Sequence, residues 1–148
     1  MTRWVRRDEF IVTLTIDGIS YGSTNEAYYW ATKTGGEFDS DTIRTRPGGM
    51  QPEISLGGTR TMGNITLSRP YSDRDHGRVD KLKNSVGKAK CHVAQYNTDG
   101  DGNPWGEPVI WTGILKRVSL PDYDANATAD AATIEVEIDT DGDAVVGA

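Results

Sequence analysis

Between residues 65 and 86 the apolar positions change period, and that change restricts the fold more than any other feature of the chain. Ile65 and Leu67 fall on one face of an extended segment, with Asn64, Thr66 and Ser68 on the other, before Pro70 ends the pairing. Val79, Leu82 and Val86 recur instead at helical spacing. Between them, Ser72-Asp73-Arg74-Asp75 has the form of a capping box. In such a box the Ser72 hydroxyl accepts from the Asp75 amide, and the Asp75 carboxylate reaches back to the Ser72 amide. Asp73 and Asp75 suit the positive end of a helix dipole, while Lys81, Lys83 and Lys88 suit its negative end. Gly87 stands where a left-handed residue closes a helix, and Gly77 weakens it from within. The prediction is one helix whose narrow apolar stripe, Val79, Leu82 and Val86, lies across a sheet.

The remaining periodicity is that of strands. Phe10, Val12, Leu14 and Ile16 share one face, and Asp17-Gly18 supplies a turn after them. Residues 88–96 and 108–120 are strand-like and flank a loop of turn formers around Asp99-Gly100-Asp101-Gly102-Asn103, which predicts a long hairpin. Residues 133–139 alternate without a break, with Ile134, Val136 and Ile138 facing inward and Glu135, Glu137 and Asp139 opposite. From about residue 20 to 58 the pattern is weak and is punctuated by Gly35-Gly36, Pro47-Gly48-Gly49, Pro52 and Gly57-Gly58. That stretch reads as an irregular arm of loops with one or two extended segments, either a surface insertion or a projection that docks on a neighbouring subunit.

A chain of 148 residues, 36% of them apolar and 17 of them Gly, suits one domain of many short strands. The opening Met1-Thr2-Arg3-Trp4-Val5-Arg6-Arg7-Asp8 has no apolar signal-peptide core, and no run approaches membrane-spanning length. We therefore expect no membrane insertion, and assembly in a cytoplasm. The lone Cys91 excludes an internal disulfide. A net charge of −6 conceals an asymmetry: every Lys and Arg lies at or before Arg117, and the segment from residue 122 onward is purely acidic. Such a chain is poorly suited to capturing nucleic acid, because that affinity comes largely from Lys and Arg on phosphates.

No catalytic constellation emerges. Cys91 and His92 are strand neighbours that point to opposite faces, so they do not form a nucleophile–base pair, and Cys91 reads as buried. His76 lies near the helix start, beside the staple position of Tyr71, and two histidines with one cysteine make a poor zinc set. The Asp99 loop resembles the opening of a calcium loop, yet its register places Pro108 where the closing carboxylate belongs, so a plain hairpin tip is expected. Phosphate-loop, nucleophile-elbow and dinucleotide signatures are missing. Tyr28-Tyr29-Trp30, Trp105 and Trp111 would serve either as a sugar-stacking platform or as packing residues, and packing fits aromatic burial habits.

The run Gly57-Gly58-Thr59-Arg60-Thr61-Met62-Gly63-Asn64-Ile65-Thr66-Leu67-Ser68-Arg69, with the helix to Gly87 and the strand after it, resembles the tail tube proteins (major tail proteins) of bacteriophages. A strand of the form Gly-Asn-Ile-Thr-Leu-x-Arg leading into one helix recurs in that family. The later strand with Trp111-Thr112-Gly113-Ile114-Leu115 and the acid-faced strand extend the likeness to Asp139, over half the chain. The resemblance implies a mainly β fold: a β-sandwich or half-barrel with a single packed α-helix and a long loop or arm. It also implies sixfold rings of this chain stacked into a hollow virion tube through which DNA passes unbound. Partners would be further copies, a tape measure protein and tail-end proteins, with no cofactor and no catalysis.

Two site expectations follow. Glu135, Glu137 and Asp139 would face the lumen, since carboxylates repel a polyanion, or else form an ordinary solvated outer face. Residues 35–50, with Arg44, Arg46 and Met50, would cross the junction between rings. The rival readings are a carbohydrate-binding or virion decoration module using Tyr29, Trp30 and Trp105, and behind it a hydrolase with a carboxylate pair.

Overall fold

The structure is a computed structural model and describes residues 2, 4–19, 30–126 and 130–146. The chain order is β1 (Phe10–Ile16), β2 (Thr32–Gly35), β3 (Phe38–Thr45), β4 (Ile54–Met62), β5 (Ile65–Pro70), α1 (Asp73–Gly77), α2 (Val79–Ser85), β6 (Lys90–Thr98), β7 (Pro104–Ser119) and β8 (Thr133–Val146). Six strands form one sheet in the order β1-β6-β7-β8-β5-β2, and β3 with β4 forms a separate two-stranded ribbon. Every neighbouring pair is antiparallel. The expected mainly β class holds, with two short helices in place of one.

The sheet buries its own inner face. Leu14 of β1, Val93 of β6, Leu115 of β7, Ile138 of β8 and Leu67 of β5 are each fully buried in one cluster. Among the described residues no second broad sheet covers that cluster, and the helices add only Leu82 as a buried apolar residue. A single sheet that encloses a core in this way must curl, so the half-barrel alternative describes it better than a sandwich.

The helical segment breaks at Arg78, whose backbone (φ −100°, ψ −2°) lies at the edge of the helical region. Its amide bonds to the Asp75 carbonyl at 3.0 Å, a tight turn that follows the flexible Gly77. Of the predicted stripe, Leu82 is 4% exposed and Val86 packs on the core, while Val79 is only half-buried and lies outside the cluster. Gly87 takes the expected left-handed conformation (φ 80°), and its amide donates to the Leu115 carbonyl at 2.7 Å, fastening the helix end to β7.

The largest departure concerns the arm. Residues 20–29 lie outside the described residues, but 30–58 is not irregular: it contains β2, all of β3 and the start of β4. Gly35 and Gly36 start the ribbon with φ of 88° and 77°. A Cβ on Gly35 would lie 1.8 Å from the Asn64 carbonyl oxygen, so only glycine lets the two chains pass. Gly35-Gly36 and the stretch from Pro47 to Pro52 sit at the root and tip of the ribbon, where the backbone must turn, while Gly57-Gly58 interrupt the alternation within β4 itself.

The antiparallel order gives the sheet two dissimilar ends. Phe10 is level with Asn97 and Trp105, so the segment before β1 and the β6–β7 tip share one end. The β7–β8 loop and both helices lie at the other.

Candidate assembly surfaces

The acid strand is as regular as its sequence implies. Ile134, Val136 and Ile138 are at most 1% exposed, and Glu135, Glu137 and Asp139 lie on the opposite face. The structure adds two cations that alternation did not reveal. A register shift between Leu115 and Arg117 places both Lys116 and Arg117 on the exposed side. Arg117 then reaches Glu135 at 3.0 Å and Glu137 at 3.3 Å, and Lys116 reaches Glu137 at 3.6 Å. Asn64, its amide oriented to satisfy both ends, donates to Asp139 at 3.0 Å and accepts from Lys116 at 3.3 Å. With these side chains partly exposed, each ion pair contributes little to stability. Their effect is on the surface: three carboxylates share a face with two cations.

The ribbon presents a different surface. Ile43 pairs with Leu56 and Thr45 with Ile54, so all four side chains stand on one face, with Arg44 and Ser55 on the other. Ile43, Ile54 and Leu56 are 62%, 44% and 47% exposed, and Met50 at the tip is fully exposed. Arg44 sits 4.0 Å from Glu53 across the ribbon, and Arg46 is exposed beside it. The ribbon root is held firmly: Phe38 stacks on Trp111 at 6.4 Å between ring centroids, and the Gly63 amide donates to the Glu37 carbonyl at 2.9 Å. Beside that stack, Lys33 lays its ammonium 4.3 Å above the Trp111 ring, where burial lowers its pKa against the pull of Glu37.

At the helix end lies a buried pair that the sequence did not single out. The capping box is half made: the Asp75 amide donates to the Ser72 hydroxyl at 3.4 Å, but the Asp75 carboxylate turns to Arg69. Arg69 Nε donates to that carboxylate at 3.1 Å, and Arg69 Nη2 binds its other oxygen. Arg69 and Asp75 are 6% and 4% exposed, and the guanidinium lies 4.3 Å over the ring of buried Trp30. The last residue of the Gly-Asn-Ile-Thr-Leu-x-Arg pattern thus ties the end of β5 to the first helical turn. Its signal was an Arg at an inward strand position, two residues after Leu67.

Asp99 Oδ1 accepts from the amides of Asp101 and Asn103 at 2.9 Å each, which makes the loop the expected hairpin tip. His76 Nδ1 lies 2.7 Å from the Tyr71 hydroxyl, in keeping with their predicted proximity. No group of three or more His, Cys, Asp or Glu could hold a metal ion, and no helix is long and apolar enough to cross a membrane, among the described residues. The sugar platform does not form as drawn: Trp30 and Trp111 are each 4% exposed, and half-buried Trp105 donates to the Thr98 carbonyl at 3.1 Å. Tyr28 and Tyr29 lie outside the described residues.

Burial pushes the Cys91 thiol up to about 12, with Asp17 adding to the effect, so no thiolate is present near neutrality. The unfolded chain ionises this thiol first, at about 8.5. Stability contributed by keeping it neutral is therefore complete below that pH and is lost as pH rises toward the folded value. Cys91→Ala is expected to flatten the alkaline limb of a melting-temperature profile between about pH 9 and 12, at a cost near neutrality of about 1 kcal/mol. Parallel profiles for the two proteins would contradict this.

No protein-family model matches the chain, and comparison with curated proteins gives no significant match. Solved structures do resemble it. A chain of the sheath–tube complex of the PVC extracellular contractile injection system, in the extended state, is 18% identical, with a TM-score of 0.72 over 98% of this chain and 92% of that one. A chain of the anti-feeding prophage tube-terminating cap is 19% identical, with a TM-score of 0.73 over 99% and 92%. A chain of the anti-feeding prophage baseplate is 16% identical, with a TM-score of 0.72 over 99% and 97%. At these identities the likeness is one of fold, and it extends over nearly the whole of each chain.

Proposed function

We propose that this chain is a structural subunit of a tail-like tube, closing into sixfold rings with copies of itself that stack around a hollow channel. The observation that carries the reading is the fold likeness, over nearly the full chain, to components of particles that contain a tube. The amphipathic ribbon supports it, because a two-stranded hairpin is marginal in water and one with an exposed apolar face needs a partner. In this reading the ribbon, with Arg44, Arg46 and Met50, crosses the junction between rings. Tape measure and tail-end proteins would be its other partners, in a virion tail or a related injection particle assembled in a bacterial cytoplasm.

Glu135, Glu137 and Asp139 are the proposed channel lining. With Lys116 and Arg117 among them, that wall is close to charge-balanced. Such a wall suits transit: the carboxylates repel a passing nucleic acid, and their pairing with Lys116 and Arg117 keeps those cations from holding its phosphates. Negative-stain microscopy of the purified chain at high concentration tests the reading; hollow tubes of uniform diameter are expected, and monomers under every condition would refute it. A reconstruction of such tubes with all three carboxylates on the outer wall would remove the lining assignment alone.

A further inference from the structure

The two ends of the sheet carry complementary segments. At the first end, Trp4, Val5, Arg6 and Arg7 precede β1, and Trp4 and Val5 are 86% and 51% exposed. Arg6 is held at its root by Asp8 and Glu9, at 2.8 and 3.6 Å. At the opposite end, the β7–β8 loop begins Leu120-Pro121-Asp122-Tyr123-Asp124, with Leu120 and Tyr123 50% and 78% exposed. Asp122 and Asp124 are exposed there, and Asp124 accepts from the Asn126 amide at 3.0 Å, which turns the loop. Each segment thus combines an exposed aromatic residue, an exposed aliphatic residue and two charges, of opposite sign in the two segments, although Arg6 already shares its charge with Asp8 and Glu9 of its own chain.

These segments cannot meet within one chain. Phe10 is level with Trp105, and the loop follows Ser119, so about 14 strand residues, or roughly 45 Å, separate them along β7. We infer that they meet between copies: the Trp4–Arg7 segment of one subunit docks on the Leu120–Asp124 loop of the next, head to tail. Trp and Arg are the residue types that most often dominate interface energies, and opposite charges orient the approach. The contact is heterologous, and because it joins copies displaced along the tube axis it repeats from ring to ring without closing on itself. It rests on the tube reading and names the residues of one of its joints.

Charge exchange provides the test. Arg6→Glu with Arg7→Glu, or Asp122→Lys with Asp124→Lys, is expected to raise the critical concentration for assembly roughly tenfold or more, the equivalent of losing one hot-spot contact. Combining all four substitutions in one chain should recover most of the loss, because the signs are exchanged and complementarity returns. Trp4→Ala should weaken assembly in the same direction, with unaltered melting of the isolated subunit. If the parent chain forms tubes and both reversals form them at the parent concentration, or if the fourfold variant is no better than either reversal, this contact is wrong and the tube reading stands. If the parent chain forms no assembly under any condition, the tube reading itself fails.

Discussion

Replacing Ile43 and Leu56 together by Asp is expected to abolish tube formation while leaving the subunit folded. The two side chains face each other across β3 and β4 on the ribbon's apolar face, and both are substantially exposed in the isolated subunit. Substitution at exposed positions usually changes stability by no more than about 0.5 kcal/mol, a shift of only about 1–2 °C in a chain of this size. In an assembled joint the same residues would be buried, at about 1.5–3 kcal/mol each, and an unpaired carboxylate there would cost more than the lost contact. Circular dichroism melting gives the first quantity and electron microscopy the second. Tubes of normal length from the double variant would show that the ribbon's apolar face is not a joint. A melting temperature lowered by 10 °C or more would show instead that the ribbon belongs to the folded core.

The second large effect is expected at the helix end. Asp75→Ala leaves the Arg69 guanidinium buried without its carboxylate, and breaking one side of a buried ion pair typically costs about 3–5 kcal/mol. For 148 residues that corresponds to a fall in melting temperature of roughly 10–15 °C. Ser72→Ala, which removes only the cap hydroxyl, should cost about 1 kcal/mol. The distinguishing variant is Arg69→Met with Asp75→Leu, which removes both charges and fills the space with apolar groups. It should recover much of the loss, because the penalty lies in the stranded charge more than in the missing attraction. Equal melting temperatures for Asp75→Ala and Ser72→Ala would mean that the Arg69 contact contributes nothing beyond the cap.

The strands that alternate cleanly were legible because half-buried antiparallel strands keep period two. Residues 133–139, the β6–β7 hairpin and the inward face of β1 all follow their sequence pattern. The ribbon was not legible, because both its faces are exposed in a single subunit and alternation records burial, not strand geometry. Lys116 and Arg117 escaped notice for another reason. The register shift between Leu115 and Arg117 turns two consecutive residues outward, and a strict period of two assigns one of them to the core. Arg69 fell at an inward position of a strand, where a charge is unexpected unless a partner waits, and its partner was already assigned to the capping box. The likeness to tail tube proteins captured Asn64 and Arg69 as a pattern; the structure supplies the physical reason, since one ties the ribbon's root to β8 and the other ties β5 to α1.

The two unlike ends of the sheet bear on growth. A polymer that adds such subunits head to tail has a direction, and its tips are chemically different at every length. With the joint inferred above, one tip would show Trp4 with Arg6 and Arg7, the other Tyr123 with Asp122 and Asp124. Salt would slow addition at both, since each encounter joins opposite charges. A protein that stops growth, however, must match only one of them. Starting and finishing such a filament would therefore call for two different stoppers, one for each tip.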